Sequence, residues 1–273
     1  MSDPTSGYIH GTEPDEQRRL SALNDVINAR CLAELGLRRG DRVLDVGSGL
    51  GQFTRLMAVA AATPVVGIES SADQRLEAAR QATTAGEDTA VEFRAGDAMA
   101  IGLPDAEWGS YDVAHTRFLL EHVTEPLAVV RDMVRAVRPG GRIVLADDDH
   151  DVLRLWPEPP GLAELWRAYQ HTYERAGMDP QIGRKLVALL HEAGAAPRRN
   201  AWIWFGSCSG ELHFGPLVRN MLDILRGARE AILATGRLDA VAFDAAIAAT
   251  RAWGTRPDAA LWFAIAWAEG VRP

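Results

Sequence analysis

What this chain lacks narrows it first. Its 273 residues contain only two cysteines, Cys31 and Cys208, far apart and in no metal-ligand spacing. That count supports neither a disulfide framework nor a zinc site, and no metal is expected. Lysine is nearly missing: Lys185 stands alone among abundant arginine and alanine, which reads as genomic base composition. No Lys/Arg cluster exceeds short pairs such as Arg38–Arg39 and Arg198–Arg199, and the net charge is −8. Nucleic-acid binders draw affinity from a basic face that releases counterions, so a small-molecule partner is favoured over DNA or RNA. The longest apolar stretch, Ala259 to Ala268, falls far short of the ~20 residues a membrane-spanning helix needs. No basic segment followed by an apolar run opens the sequence, so no secretory signal is expected. A cytoplasmic protein without a membrane or nucleic-acid partner is the plain expectation, and a homodimer is allowed. Repeats, low-complexity segments and Pro/Gly/Ser linkers are absent too, so residues 1–273 read as a single domain.

What is present is an alternation. With 47% hydrophobic residues the chain can bury a core without cross-links. A helix is expected over Glu16–Leu35, then strands at Arg42–Val46, Val65–Glu69, Val91–Ala95, Tyr111–Thr116 and Arg142–Ala146. Helices fall between them at Gln52–Ala61, Ala72–Thr84 and Pro126–Val137, with one more directly after the fourth strand. Strands alternating with helices imply right-handed crossovers and a mostly parallel sheet covered on both faces. The second half is less regular. Gly161–Ala176, Ile182–Ala193, Pro216–Ala234 and Ala240–Trp253 read as helices, and Ala201–Phe205 and Ala260–Ala268 as strands. The expected fold is α/β: a Rossmann-like, doubly wound, mostly parallel seven-stranded sheet with helices on both faces and extra capping helices. Residues 36–147 form its cofactor-binding core, and residues 1–35, 148–178 and 206–256 form lid and substrate-capping segments.

The strongest chemical signal is Val43-Leu44-Asp45-Val46-Gly47-Ser48-Gly49-Leu50-Gly51. A hydrophobic strand runs into a glycine-rich turn and then a helix. Glycine there lets the backbone turn tightly and approach a ligand, while the helix start presents free N–H groups. An acidic residue at the end of the next strand, about 20 positions on, holds ribose hydroxyls in such sites. Glu69 stands there, followed by Ser70. A dinucleotide site would place a third glycine where Gln52 is, and no phosphate-loop lysine follows. That argues against a nicotinamide-dependent oxidoreductase.

Three further segments follow in order: Arg94-Ala95-Gly96-Asp97-Ala98, Tyr111-Asp112-Val113-Ala114 continuing through His115-Thr116-Arg117, and Arg138-Pro139-Gly140-Gly141. Together with the glycine turn these resemble class I S-adenosylmethionine-dependent methyltransferases of the ubiquinone-biosynthesis type, over about residues 40–147. The resemblance implies S-adenosylmethionine as cofactor, with S-adenosylhomocysteine as product, and a transferase acting on a small molecule at O, N or C. It implies a cofactor cradle of Asp45, Gly47, Ser48, Gly49, Gly51, Gln52, Glu69, Ser70, Asp97, Ala98, Thr116 and Arg117. The run Tyr8-Ile9-His10-Gly11 with Glu16–Leu20 resembles a lid in this group, making Tyr8 and Arg19 candidates to close over the methionine end. A solvated helix start is the competing reading. The same fold also carries cofactor-binding proteins that catalyse a cyclisation or only bind the cofactor, so that alternative stays open.

Methyl transfer gains chiefly from aligning nucleophile, methyl and leaving sulfur, although an O or N nucleophile can need a base titrating near neutrality. His115 and His150 lie at the ligand-binding edge of the sheet and are the candidate bases. His115 reads equally as a buried residue, His150 equally as part of a solvated loop, and His122 as a packing residue in the helix after the fourth strand. The run Asp147–Asp149 suggests Mg²⁺, yet three consecutive carboxylates on an extended chain cannot all face one ion. Trp156, Trp166, Tyr169 and His213 are the candidate substrate wall.

Overall fold

The computed structural model describes residues 27–273. It opens with a helix over 27–35, α1, and continues β1 (Val43–Val46), α2 (Gln52–Ala61), β2 (Val65–Glu69), α3 (Ala72–Ala85) and β3 (Val91–Ala95). Next come β4 (Tyr111–Arg117), α4 (Pro126–Ala136), β5 (Val137–Asp148), β6 (Arg154–Trp156), α5 (Leu162–Arg175) and α6 (Leu186–Glu192). The chain ends with β7 (Ala196–Cys208), α7 (Phe214–Gly227), α8 (Arg229–Ala234), α9 (Ala240–Trp253) and β8 (Ala260–Val271). The sheet runs β3-β2-β1-β4-β5-β8, with β6 and β7 both paired to β8. The first five strands are parallel, and β8 is antiparallel to its neighbours. This is the doubly wound sheet expected from the alternation, with a three-residue eighth strand, β6, added to the seven.

Local rules account for the element ends. Ser71 caps α3, its hydroxyl accepting from Gln74 N, and Gly86 closes that helix in the left-handed region. Pro126 opens α4, where its missing N–H costs nothing. Asp239 caps α9 by accepting from Ala242 N at 2.8 Å. Along the strands, side chains alternate between two cores. Leu44, Ile68, Ile143 and Leu145 face α4 and α6, whereas Val43, Val65, Val144 and Trp267 face α1 and α2.

A third core lies beyond the sheet. Asp148 at the end of β5 is opposite Ile265, so residues 260–264 of β8 run on past the carboxyl edge of the parallel strands. There Leu261 joins Leu165, Tyr169, Tyr173, Phe214, Leu222 and Phe243 in a cluster built from α5, α7, α8 and α9. The cap therefore stands over the edge at which β1, β2, β4 and β5 all end.

Two segments differ from the expectation for a physical reason. The helix expected after β4 is a single 3-10 turn, Leu120–His122. Phe118 ahead of it takes φ 54°, a left-handed conformation costing a bulky residue about 1–2 kcal/mol. The backbone N–H groups of Leu119 and Leu120 then donate to the Asp147 carboxylate at 3.1 and 2.8 Å, which diverts them from an α-helical start. The strand expected at Ala201–Phe205 extends over Ala196–Cys208 because β8 offers it a partner along its whole length.

Candidate active site

The turn between β1 and α2 is shaped by glycine. Gly47, Gly49 and Gly51 have φ of 77°, 54° and 69°, a region L side chains avoid. A Cβ on Gly51 would stand 2.3 Å from the Phe93 ring. Gly47 N and Ser48 N both donate to Ile68 O, at 2.8 and 3.0 Å, which ties the turn to the end of β2. Gly49 N donates to Glu69 Oε2 at 3.0 Å, and the other oxygen of Glu69 accepts from Ser71 N at 2.8 Å. Ser70 is exposed, its hydroxyl 3.4 Å from Glu69 Oε1. The Glu69 carboxylate is thus fixed beside the turn, with lone pairs left over for hydroxyl donors. Asp97 is exposed beyond β3 and accepts from Met99 N at 2.9 Å, with half-buried Ala98 beside it.

Beneath the turn lies a buried polar network. Thr54 Oγ1 donates to Asp45 Oδ2 at 2.6 Å, and His115 Nδ1 lies 2.8 Å from Asp45 Oδ1. Only 1% of His115 is exposed, and its ring packs on Phe53 with centroids 5.0 Å apart. His115 therefore braces Asp45 from within the sheet, while its Nε2 is buried without a hydrogen-bond partner among the described residues. Thr116 donates to Val46 O at 2.8 Å, so its hydroxyl staples β4 to β1. Arg117 donates to Asn28 Oδ1 at 2.8 Å with its guanidinium 4.3 Å above the Phe53 ring.

The other half of the edge is built from acids, histidines and aromatics. His150, in the 3-10 turn His150–Val152 after β5, places Nε2 2.9 Å from Glu121 Oε2, in the turn after β4. Both side chains are buried. Tyr169 lies parallel to the His150 ring at 5.5 Å with an interplanar angle of 4°, and Tyr173 meets it edge-on at 5.1 Å. The Trp166 indole donates to His150 O at 2.8 Å. The two tyrosine hydroxyls lie 2.8 Å apart, and His122 stacks on Tyr173. The three consecutive aspartates go three ways. Asp147 takes the N–H groups of Leu119 and Leu120, Asp149 takes the Arg184 guanidinium at 2.6 Å, and Asp148 turns toward Glu121 and His150.

Burial sets the ionisation here. It pushes His150 below the ordinary histidine range, while the carboxylates of Asp148, Asp149 and Asp151 pull it back. Burial, with repulsion from Glu121, raises Asp147 and Asp148 well above the usual carboxylate range. Glu121, Asp148 and His150 bring their ligand-type atoms within 4.8 Å of one another. One carboxylate oxygen and one ring nitrogen of that set already meet in a hydrogen bond, so the set reads as proton-sharing.

Of the expected substrate wall, Trp166 and Tyr169 join this cluster. Trp156 is 69% exposed on β6, and His213 is exposed at the start of α7, so neither does. Tyr8 and Arg19 lie outside the described residues. Sequence reading passed over Glu121, weighed Asp148 only within a metal-type acidic run, and left Tyr173 out of the candidate substrate wall. Their positions at strand ends and on the inner face of a helix were legible, but the pairing of residues 29 apart was not.

The residues at the turn fit S-adenosylmethionine. Ser48 Oγ and Gln52 Oε1 are buried and lack hydrogen-bond partners among the described residues. The ten-residue α2 begins without a side-chain cap, leaving its first N–H groups for a carboxylate.

Comparisons with known proteins agree. A family model described as a methyltransferase domain matches residues 15–199. The 27-O-demethylrifamycin SV methyltransferase of Amycolatopsis mediterranei (strain S699) is 34% identical over 197 residues, which cover 69% of this chain and 66% of that protein. An uncharacterized 37.1 kDa protein in transposon TN4556 of Streptomyces fradiae is 36% identical over 191 residues, or 67% of this chain and 53% of that protein. The chain spans about half to two thirds of the length of these relatives. The solved structure of the cyclase SpnF aligns with a TM-score of 0.56 at 21% identity, covering 91% of this chain and 81% of that one, which shows a common fold.

Proposed function

Because the chain belongs to the methyltransferase-domain family, we propose that it binds S-adenosylmethionine and transfers its methyl group to a small-molecule acceptor. The observation that carries this is the glycine turn with Glu69 hydrogen-bonded to it at 3.0 Å, above the buried Asp45. In this reading the start of α2 takes the methionine carboxylate, Ser48 and Gln52 give polar contacts, and Glu69 takes the ribose hydroxyls. Asp97 and Ala98 lie along the adenine. Asp45, braced by Thr54 and His115, holds the turn in shape. The bound cofactor supplies an electrophilic methyl on a sulfonium.

The protein's contribution to the chemistry is alignment. The cap over residues 153–178 and 214–263 closes the carboxyl edge with apolar and aromatic side chains, excludes water and orients the acceptor. His150, at that edge, is the candidate base. The rifamycin relative's name describes methylation of 27-O-demethylrifamycin SV, which supports an oxygen acceptor here. A net charge of −8 supports a small molecule over nucleic acid. Among the described residues no helix is long and apolar enough to cross a membrane, and a cytoplasmic location belongs to this reading. Among the described residues β7 pairs with β8 alone, which is compatible with a homodimer.

The test is a screen of hydroquinones, phenols and polyketide hydroxyls with S-adenosylmethionine, read by mass spectrometry. A product one methyl heavier, formed together with S-adenosylhomocysteine, is expected. Cofactor binding with no methylated product across the screen, or a rearranged product of unchanged mass, would turn the reading toward a non-methylating user of the site.

A further inference from the structure

We propose that the outer face of the arm formed by β6, β7 and the start of β8 docks a second copy of this chain, with Trp262 at the centre of the contact. This gives the homodimer a face, and it stands apart from the methyl-transfer reading.

Strand register places the residues. Past the carboxyl edge of the parallel strands, β8 pairs with β6 on one side and β7 on the other. Side chains alternate along a strand, and directly paired residues share a face. One face sends Leu155, Leu261, Ile203 and Phe205 into the cores. The other face must therefore turn outward. Trp156 is level with Ala260 and Trp204 with Ala264, two residues to either side of Trp262. The three rings form a diagonal row across three strands, 69%, 44% and 55% exposed for Trp156, Trp262 and Trp204. Trp202 continues the row, half-buried against the core under α4 and α6, with its ring 6.2 Å from that of Trp204.

Area, charge and relief choose the occupant. A tryptophan can bury up to about 250 Å², so the three rings leave roughly 400 Å² open, about half of the ~800 Å² each partner gives to a stable interface. Contiguous aromatic surface of this kind marks an interaction site. Arg154, level with Trp262, is the one charged residue among the outward positions of β6, of β7 from Trp202 and of β8 up to Ala264. Tryptophan and arginine without carboxylates is the composition of an interface centre. A chain of net charge −8 repels its copy over most of its surface, and this acid-free face relieves that repulsion. The rings also stand among small neighbours, Gly206, Ala260 and Ala264, and a Cβ on Gly206 would lie 2.9 Å from the Trp262 ring. Large beside small suits a two-fold contact: the rings of each copy seat over the small residues of the other, and each Arg154 guanidinium meets a ring. Because Leu261 on the inner face belongs to the cap core, the second copy braces the cap from behind.

The test is light scattering of the full chain after size exclusion, which needs neither cofactor nor acceptor. At tens of micromolar the wild type is expected at twice the mass of one chain. Trp262→Glu, at the centre, should weaken the dimer by about 30-fold or more, and Trp204→Ser by about tenfold. Trp156→Ala, at the margin, should change it by about twofold at most. Circular dichroism checks that each variant is folded, and Trp204→Ser carries the test if Trp262→Glu is not. A monomeric wild type would overturn the proposal and leave the row to a different partner. A dimer that survives both substitutions would place the contact elsewhere, such as the edge of β7, and would overturn it too. Neither result touches methyl transfer, and failure of the acceptor screen leaves these masses to be read by themselves.

Discussion

The two halves of the site are held by different kinds of bond. On the cofactor side, Gly47, Ser48, Gly49 and Ser71 offer backbone N–H groups to Ile68 O and to the Glu69 carboxylate, within a short stretch of chain. On the side proposed for the acceptor, Glu121 meets His150 and Arg184 meets Asp149 through side chains 29 and 35 residues apart. Backbone cradles suit a ligand common to a whole family, because any sequence with the right glycines can build one. Side-chain pairs over a separate apolar cap can be exchanged one at a time, which suits an acceptor that differs from relative to relative.

Perturbing each half sharpens that contrast. The largest effect is expected from Gly49→Val, which forces a β-branched residue into φ 54° and fills the ligand's approach. Calorimetry should show cofactor binding abolished, while the His150 NMR signals stay in place. Tyr173→Ala should do the reverse. Removing a fully buried ring from the cap should cost about 3–5 kcal/mol of stability in denaturant titration while a folded protein still binds cofactor. Glu69→Ala should weaken cofactor binding by about 1–3 kcal/mol through lost hydrogen bonds to the ribose and to Gly49 N. An unchanged dissociation constant would mean that Glu69 holds the turn alone.

Asp148→Asn tests the electrostatics of the acceptor side. The folded chain holds protons on Asp147 and Asp148 more tightly than the unfolded chain does. Stability should therefore fall as pH rises above the ordinary carboxylate range and through their raised values. Asp148→Asn should flatten that slope, raising Tm more at alkaline than at mildly acidic pH in calorimetric scans. Equal shifts at both would show that Asp148 ionises without penalty. The smallest effect is expected from Trp156→Ala, within about 0.5 kcal/mol of wild-type stability, because the side chain is 69% exposed.

The cofactor half was the more legible in the sequence for the same reason that separates the halves. Gly47, Gly49, Gly51 and Glu69 are set by local backbone geometry and by the length of one strand–helix–strand unit, both visible as spacing. Local hydrophobic pattern placed the strands β2 and β3 and the helices α2 and α9 at their observed bounds. Local pattern failed where a distant partner decides. Asp147 diverts the chain after Phe118 from a helix into a 3-10 turn, and β8 draws β7 out to 13 residues. Aromatic composition pointed to the cap, but not to which side chains face His150. Trp166 and Tyr169 do, because α5 turns them inward, whereas Trp156 and His213 are exposed at the two points where the chain enters the cap.

The most direct test of the central claim is calorimetric titration of the purified protein with S-adenosylmethionine, S-adenosylhomocysteine and NAD in parallel. Micromolar binding of the first two with no heat from the third is the predicted result. Binding of NAD with silence from the other two would contradict the assignment and make this turn a dinucleotide site.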